Sequence, residues 1–250
     1  MKALITGSSS GMGRDMAKYL GSLGWDLILV ARREERLEEV KKSVKTKVRI
    51  IALDLEEESN CYKLYEMTKD EDIDLLINNA GFGLFGMTYE TDLNRELAMI
   101  NVNIKAVHIL TKLFLQDFYK KDAGRILNVA SSAGFLAGPR LNTYYATKNY
   151  VLKFTMGIYE ELRRSKSNVH VSALCPGPVK TEFNKVAGGK FNIDSNQSKR
   201  VAKLAIDKTL KNKLIIIPGL GVKLGVFFNR FLPYKLSLRI VYGIQERKNH

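Results

Sequence analysis

Short, uniformly apolar runs recur along this chain, and each is followed by a stretch with helical spacing. Lys2–Thr6 leads into Asp15–Leu23, and Asp26–Ala31 (DLILVA) into the charged stretch Glu34–Lys45. Val48–Leu53 and Leu75–Asn78 follow, then the long apolar-striped Leu97–Phe118. Arg125–Ala130 precedes Tyr144–Arg164, Val169–Cys175 precedes Ser198–Lys211, and Leu214–Pro218 is the last run. Strands that are apolar throughout, rather than alternating, are buried on both faces. Separated by helices, they predict an α/β chain: a doubly wound, Rossmann-type parallel seven-stranded sheet with helices on both faces. The length of 250 residues suits one such core and is too short for two. A single dinucleotide-binding and catalytic domain over residues 1–250 is therefore expected.

Composition narrows the class. At 45% hydrophobic and 26% charged residues the chain is neither disordered nor a membrane bundle, and no wholly apolar run reaches 18 residues. The apolar opening Met1–Ile5 is too short for a secretory signal and runs straight into glycines. Cys61 and Cys175 have no metal-type spacing, which suits a reducing cytoplasm, and His108, His170 and His250 form no cluster. No metal is expected. The net charge of +14 is uneven: residues 180–250 hold 15 Lys/Arg against 4 Asp/Glu, whereas residues 1–179 hold 25 against 22. A localised basic region attracts an anionic partner or is simply solvated. No base-reading motif accompanies it, so nucleic acid is not expected.

The glycine loop Thr6-Gly7-Ser8-Ser9-Ser10-Gly11-Met12-Gly13 lies between the first strand and the first helix. Glycines there let backbone approach a pyrophosphate resting on a helix N-terminus. A glycine-rich turn alone also suits a plain turn. The second strand ends Val30-Ala31-Arg32-Arg33, with no acid for a ribose 2′-hydroxyl. A guanidinium pairs with a 2′-phosphate, which favours NADP over NAD. Tyr144 and Lys148 share one helix face, where an ammonium favours the phenolate. Such a tyrosine can exchange a proton with a carbonyl oxygen. Tyr145 and Tyr159 read as packing residues.

Four motifs in order make the chain resemble the classical short-chain dehydrogenases/reductases, from about Lys2 to Pro218. Thr6–Gly13 matches T-G-x-x-x-G-x-G, Asn78–Gly81 matches N-N-A-G, Tyr144–Lys148 matches Y-x-x-x-K, and Pro176–Thr181 matches P-G-x-V-x-T. The resemblance implies that Tyr144 is the acid/base, that Lys148 holds the nicotinamide ribose and lowers the tyrosine pKa, and that Ser131 polarises the carbonyl, with Ser132 as its alternative. It implies that Asn103 supports a water chain to the lysine, while Asn101 is structural. It further implies an NADP(H) site built from Gly7, Ser9, Ser10, Gly11, Met12, Gly13, Arg32, Asp54, Leu55, Asn79, Ala80, Gly81, Pro176, Gly177, Val179 and Thr181, beside Tyr144 and Lys148. The implied reaction interconverts a ketone or aldehyde with an alcohol. A sensor of this fold that binds NADP without turnover is the alternative.

The substrate is expected to be apolar, with Phe82, Phe85, Phe135 and Phe183 as candidate lining residues and residues 182–200 as the substrate loop. Residues 219–250 interleave apolar side chains with Lys223, Arg230, Lys235, Arg239 and Arg247. That pattern suits an amphipathic helix on an anionic membrane, and equally a helix packed on the domain or on a sister subunit. By resemblance, Leu97–Phe118 and Tyr144–Arg164 match helices that pair in family homodimers and homotetramers.

Overall fold

A computed structural model of the chain describes residues 1–179 and 197–246. Seven strands, β1 (Lys2–Thr6), β2 (Asp26–Ala31), β3 (Val48–Ala52), β4 (Leu75–Asn78), β5 (Arg125–Val129), β6 (His170–Leu174) and β7 (Ile215–Ile216), form one sheet in the order β3-β2-β1-β4-β5-β6-β7. All six pairings are parallel. The helices are α1 (Gly11–Ser22), α2 (Glu34–Lys42), α3 (Glu58–Glu66), α4 (Leu93–Ile100), α5 (Val107–Lys120), α6 (Asn142–Arg164), α7 (Gln197–Leu210), α8 (Leu220–Asn229) and α9 (Tyr234–Glu246).

Alternate residues of each strand feed two cores, as the pleat requires. Ala3 and Ile5 face Met16 and Leu20 of α1 and Ala202 and Ile206 of α7. Leu4 and Ile28 face Leu64 of α3, Phe114 of α5 and Ile158 of α6. The reversal of strand order at β1 and β4 opens a crevice at the carboxyl ends of the strands, the usual ligand position in such sheets. Buried amides tie the sheet to its cover there. Asn78 donates to Asn128 Oδ1 at 2.9 Å and to Thr111 Oγ1 at 3.0 Å, and Asn128 donates to Thr155 Oγ1 at 3.0 Å.

Several boundaries differ from the sequence reading. Helix α3 was not expected, because Cys61 and Leu64 are its only buried positions and it has little apolar rhythm. Helices α4 and α5 are joined by a π-helical segment, Asn101–Ala106, into a run from Leu93 to Lys120. By length and composition this run could cross a membrane, but Leu110, Phe114 and Phe118 are buried in the core. Helix α7 begins at Gln197, one residue before the expected start at Ser198, so the last residues assigned to the substrate loop, Gln197–Arg200, are helical. Pro233 separates the C-terminal stretch into α8 and α9. A proline has no N–H to continue a helix.

Candidate active site

The crevice is a cleft of about 620 Å³ lined by the glycine loop, the ends of β2 and β4, the segment after β5 and the start of α6. Its entrance is shaped by Gly7, held at φ +65°. A Cβ at Gly7 would stand 2.8 Å from Ala80 Cα, so only glycine lets the two loops meet. Asn79 fastens this junction, donating to the Thr6 and Gly7 carbonyls at 3.0 Å each. The Thr6 hydroxyl accepts from the Asn79 and Ala80 amides at 3.0 and 3.1 Å. Ser10 caps α1 through backbone alone, without a side-chain bond, and no acid occupies the first turn. The cradle and a first turn without a side-chain cap fit a dinucleotide pyrophosphate.

At the end of β2, Arg32 and Arg33 flank the cleft. Arg32 lies 3.6 Å from Asp54, and its side chain is 70% exposed. Arg33 donates to Ser9 Oγ at 3.4 Å. Two guanidinium groups thus border the pocket where β2 ends in Ala31 rather than in an acid. Leu55 is buried and also lines the cleft. Arg33, the second arginine of the pair read from the sequence, lines the cleft beside Arg32.

The reacting end is assembled by three segments. Ser131 is buried and ends β5's extended chain. Its Oγ accepts from the Ala133 amide at 3.1 Å, lies 3.4 Å from the Pro176 carbonyl, and is hydrogen-bonded to the Tyr144 side chain. The neighbouring Ser132 donates its amide to the same Pro176 carbonyl at 2.8 Å and also lines the cleft. One helical turn after Tyr144, the buried Lys148 donates to the Val129 carbonyl at 2.9 Å. Its ammonium lies 5.8 Å from the Tyr144 ring centroid. Burial pushes the Tyr144 phenol up to about 12, with the Ser131 hydrogen bond pulling the other way. Burial pushes Lys148 down to about 8. The expected lowering of the phenol by Lys148 is not found: burial dominates, and the pull downward comes from Ser131 rather than from the lysine.

Asn103 is fully buried in the π-helical segment. Its side chain accepts from the Phe82 amide at 3.0 Å, donates to the Phe82 carbonyl at 2.9 Å, and donates to Thr147 Oγ1 at 3.1 Å. Thr147 in turn donates to the Tyr144 carbonyl at 2.7 Å. Asn103 therefore links the loop after β4 to the turn that carries Tyr144. Gly81 sits between them, where a Cβ would stand 2.7 Å from Asn103 Oδ1.

The expected residues Ser9, Ser10, Gly11, Met12, Asn79, Ala80, Gly81, Pro176, Gly177 and Val179 all line the cleft. Gly13 lies behind it, against the Gly7 carbonyl. Phe82 lines the cleft, but two other expected phenylalanines do not. Phe85 lies under the Arg140 guanidinium, and Phe135 packs on the core around Val151 and Leu152. Thr181, Phe183 and residues 182–196 of the expected substrate loop lie outside the described residues. Asn94, Arg95, Leu141, Tyr145 and Gln245 join the lining unforeseen. Tyr145, read as a packing residue, accepts a hydrogen bond from Gln245 of α9 at 2.6 Å.

Known proteins agree with this geometry. A family model for short chain dehydrogenase matches residues 1–190. An uncharacterised oxidoreductase of Staphylococcus saprophyticus is 34% identical, covering 73% of this chain and 80% of its own. The very-long-chain 3-oxoacyl-CoA reductase of Homo sapiens is 32% identical, covering 82% of this chain and 67% of its own. Among solved structures, a short-chain dehydrogenase from Sphingobium yanoikuyae in complex with NADPH superposes with a TM-score of 0.80 at 27% identity, covering 92% of each chain. A short chain dehydrogenase/reductase from Burkholderia phymatum in complex with NAD gives 0.81 at 25% identity, covering 90% of this chain and 91% of that one. The chain belongs to the short-chain dehydrogenase/reductase family of oxidoreductases.

Proposed function

We propose that this protein is an NADP(H)-dependent oxidoreductase that interconverts a ketone or aldehyde with its alcohol on an apolar substrate. The observation that carries this reading is that Ser131, Tyr144 and Lys148 line one cleft with the glycine loop, the Lys148 ammonium 5.8 Å from the Tyr144 ring centroid. Gly7, Ser9, Ser10, Gly11, Met12, Asn79 and Ala80 would hold the dinucleotide, and Lys148 its nicotinamide ribose. When bound, the nicotinamide supplies or takes up a hydride. The chain itself moves the proton. Tyr144 gives its phenolic proton to the substrate oxygen as that oxygen becomes negative, and takes it back in the alcohol direction. Ser131 donates a hydrogen bond to the same oxygen, where a preorganised donor acts most strongly. The Lys148 ammonium beside the ring compensates the phenolate charge.

The preference for NADP rests on Arg32 and Arg33 at the end of β2 and on the absence of an acid at Ala31. The apolar substrate class rests on Phe82, Ala98, Val102 and Leu141 in the cleft. The very-long-chain reductase among the relatives accords with it. The test is an NADPH-consumption screen over ketones and aldehydes graded in size and polarity. Turnover is expected to rise with apolar bulk. Tight NADPH binding without turnover of any carbonyl would favour a sensor instead.

A further inference from the structure

The C-terminal helices carry a surface that the chemistry does not use. Ten of the nineteen exposed large apolar side chains among the described residues fall between Leu220 and Ile244. They are therefore concentrated rather than scattered, as on a surface that meets an apolar partner. On α8, Leu220, Leu224 and Phe227 point outward at helical spacing, while Val222 and Val226 face in. Phe231 extends the stripe, its ring 5.4 Å from that of Phe227. On α9, Leu236, Ile240 and Ile244 are exposed, while Val241 and Gln245 are buried.

The inner faces are fixed on the cleft wall. Val222 packs where Gly177 lacks a side chain, and Gln245 bonds to Tyr145. The outer faces are thus presented on a supported platform.

Charge identifies the occupant. Lys223, Arg230, Lys235 and Arg239 are exposed among these apolar groups, and Glu246 is the one acid between residues 219 and 246. A two-fold contact with a second copy would set this positive face against itself. Anionic headgroups would neutralise it while the phenylalanines and leucines enter the acyl boundary. We propose that the outer face of α8 and α9 docks the protein on an anionic lipid bilayer, with the cleft wall held against the inner side of the same helices.

The test uses the full chain with vesicles of phosphatidylcholine alone or mixed with phosphatidylserine. Sedimentation with the mixed vesicles, weakening as salt rises, is the expected result. Lys223→Gln and Lys235→Gln, at exposed positions, should each weaken partition about fivefold. Phe227→Ser combined with Phe231→Ser should abolish it, with NADPH binding retained as the check on folding. Failure to sediment with phosphatidylserine vesicles at low salt overturns the proposal. So does a wild-type dimer by light scattering that becomes monomeric in the double phenylalanine variant without any vesicle binding. That outcome would assign the face to a second copy.

Discussion

Gln245 donates a 2.6 Å hydrogen bond to the Tyr145 hydroxyl, joining the last described helix to the residue next to Tyr144. The Tyr145 ring lies against Gly138, where a side chain would collide with it. Tyr145 is therefore a strut between α9 and the cleft wall, and its hydroxyl is engaged away from the reacting position.

This relationship predicts a split between binding and chemistry. Tyr145→Phe and Gln245→Leu each remove one partner of a buried bond worth about 1 kcal/mol. Each should raise the KM for a bulky carbonyl by up to about fivefold, with kcat little changed. The double variant should be no worse than the more damaging single one, because both sever the same bond. Steady-state kinetics of the three proteins decide this. Additive losses would show that the two residues act separately.

Tyr144→Phe should behave in the opposite way. The ring keeps its place against Lys148, so NADPH affinity should stay near normal. The proton donor is lost, and general acid–base help is typically worth about 10²–10⁴ in rate. Turnover should fall by at least that factor without a rise in KM. Tyr145→Phe is the comparison, because it should keep kcat while raising KM.

Arg32→Ala should weaken NADPH binding and leave NADH binding nearly unchanged. A hydrogen bond to a charged group contributes about 1.5–3 kcal/mol, and the exposure of Arg32 places it at the low end, about tenfold in affinity. Arg33 stands beside Ser9 and should add a second, separable loss when replaced. Fluorescence titration with both nucleotides measures these effects. Equal weakening of both would remove Arg32 from the 2′-phosphate.

How much of this was legible in the sequence follows from the range of each interaction. β1 and β2 are apolar except for Lys2, Thr6 and Asp26 at their ends, and their boundaries, Lys2–Thr6 and Asp26–Ala31, are those expected. The glycine loop was legible because backbone approach demands a residue type at fixed positions. Asn103 was found by its motif, but the π-helical segment that turns it toward Phe82 leaves no pattern of apolar spacing. Which of the candidate phenylalanines line the cleft was not legible, because aromatic residues mark both cores and pockets, and only their neighbours tell which. The Gln245–Tyr145 bond spans 100 residues of sequence, and neither partner signals the other locally.

Lys148 gives a prediction that needs no substrate. Burial holds its folded-state pKa at about 8, below the ordinary lysine value of 10.5. The folded protein therefore binds fewer protons than the unfolded chain between these values, and stability rises with pH across that window. Below about pH 8 the charged ammonium is confined in the cleft wall with its bond to Val129, and folding bears the cost. A depression of this size corresponds to about 3 kcal/mol. Lys148→Met removes the titration while keeping most of the buried volume. Relative to wild type, the variant should be more stable at pH 7 by up to about that amount. The difference should shrink as pH rises from 8 to 10.5, because the wild-type lysine sheds its proton and the penalty with it. Denaturant unfolding of both proteins at several pH values, without added dinucleotide, measures the difference directly. A constant gap across this range would mean that Lys148 keeps an ordinary pKa in the fold, and that the ammonium beside Tyr144 is held without a desolvation cost.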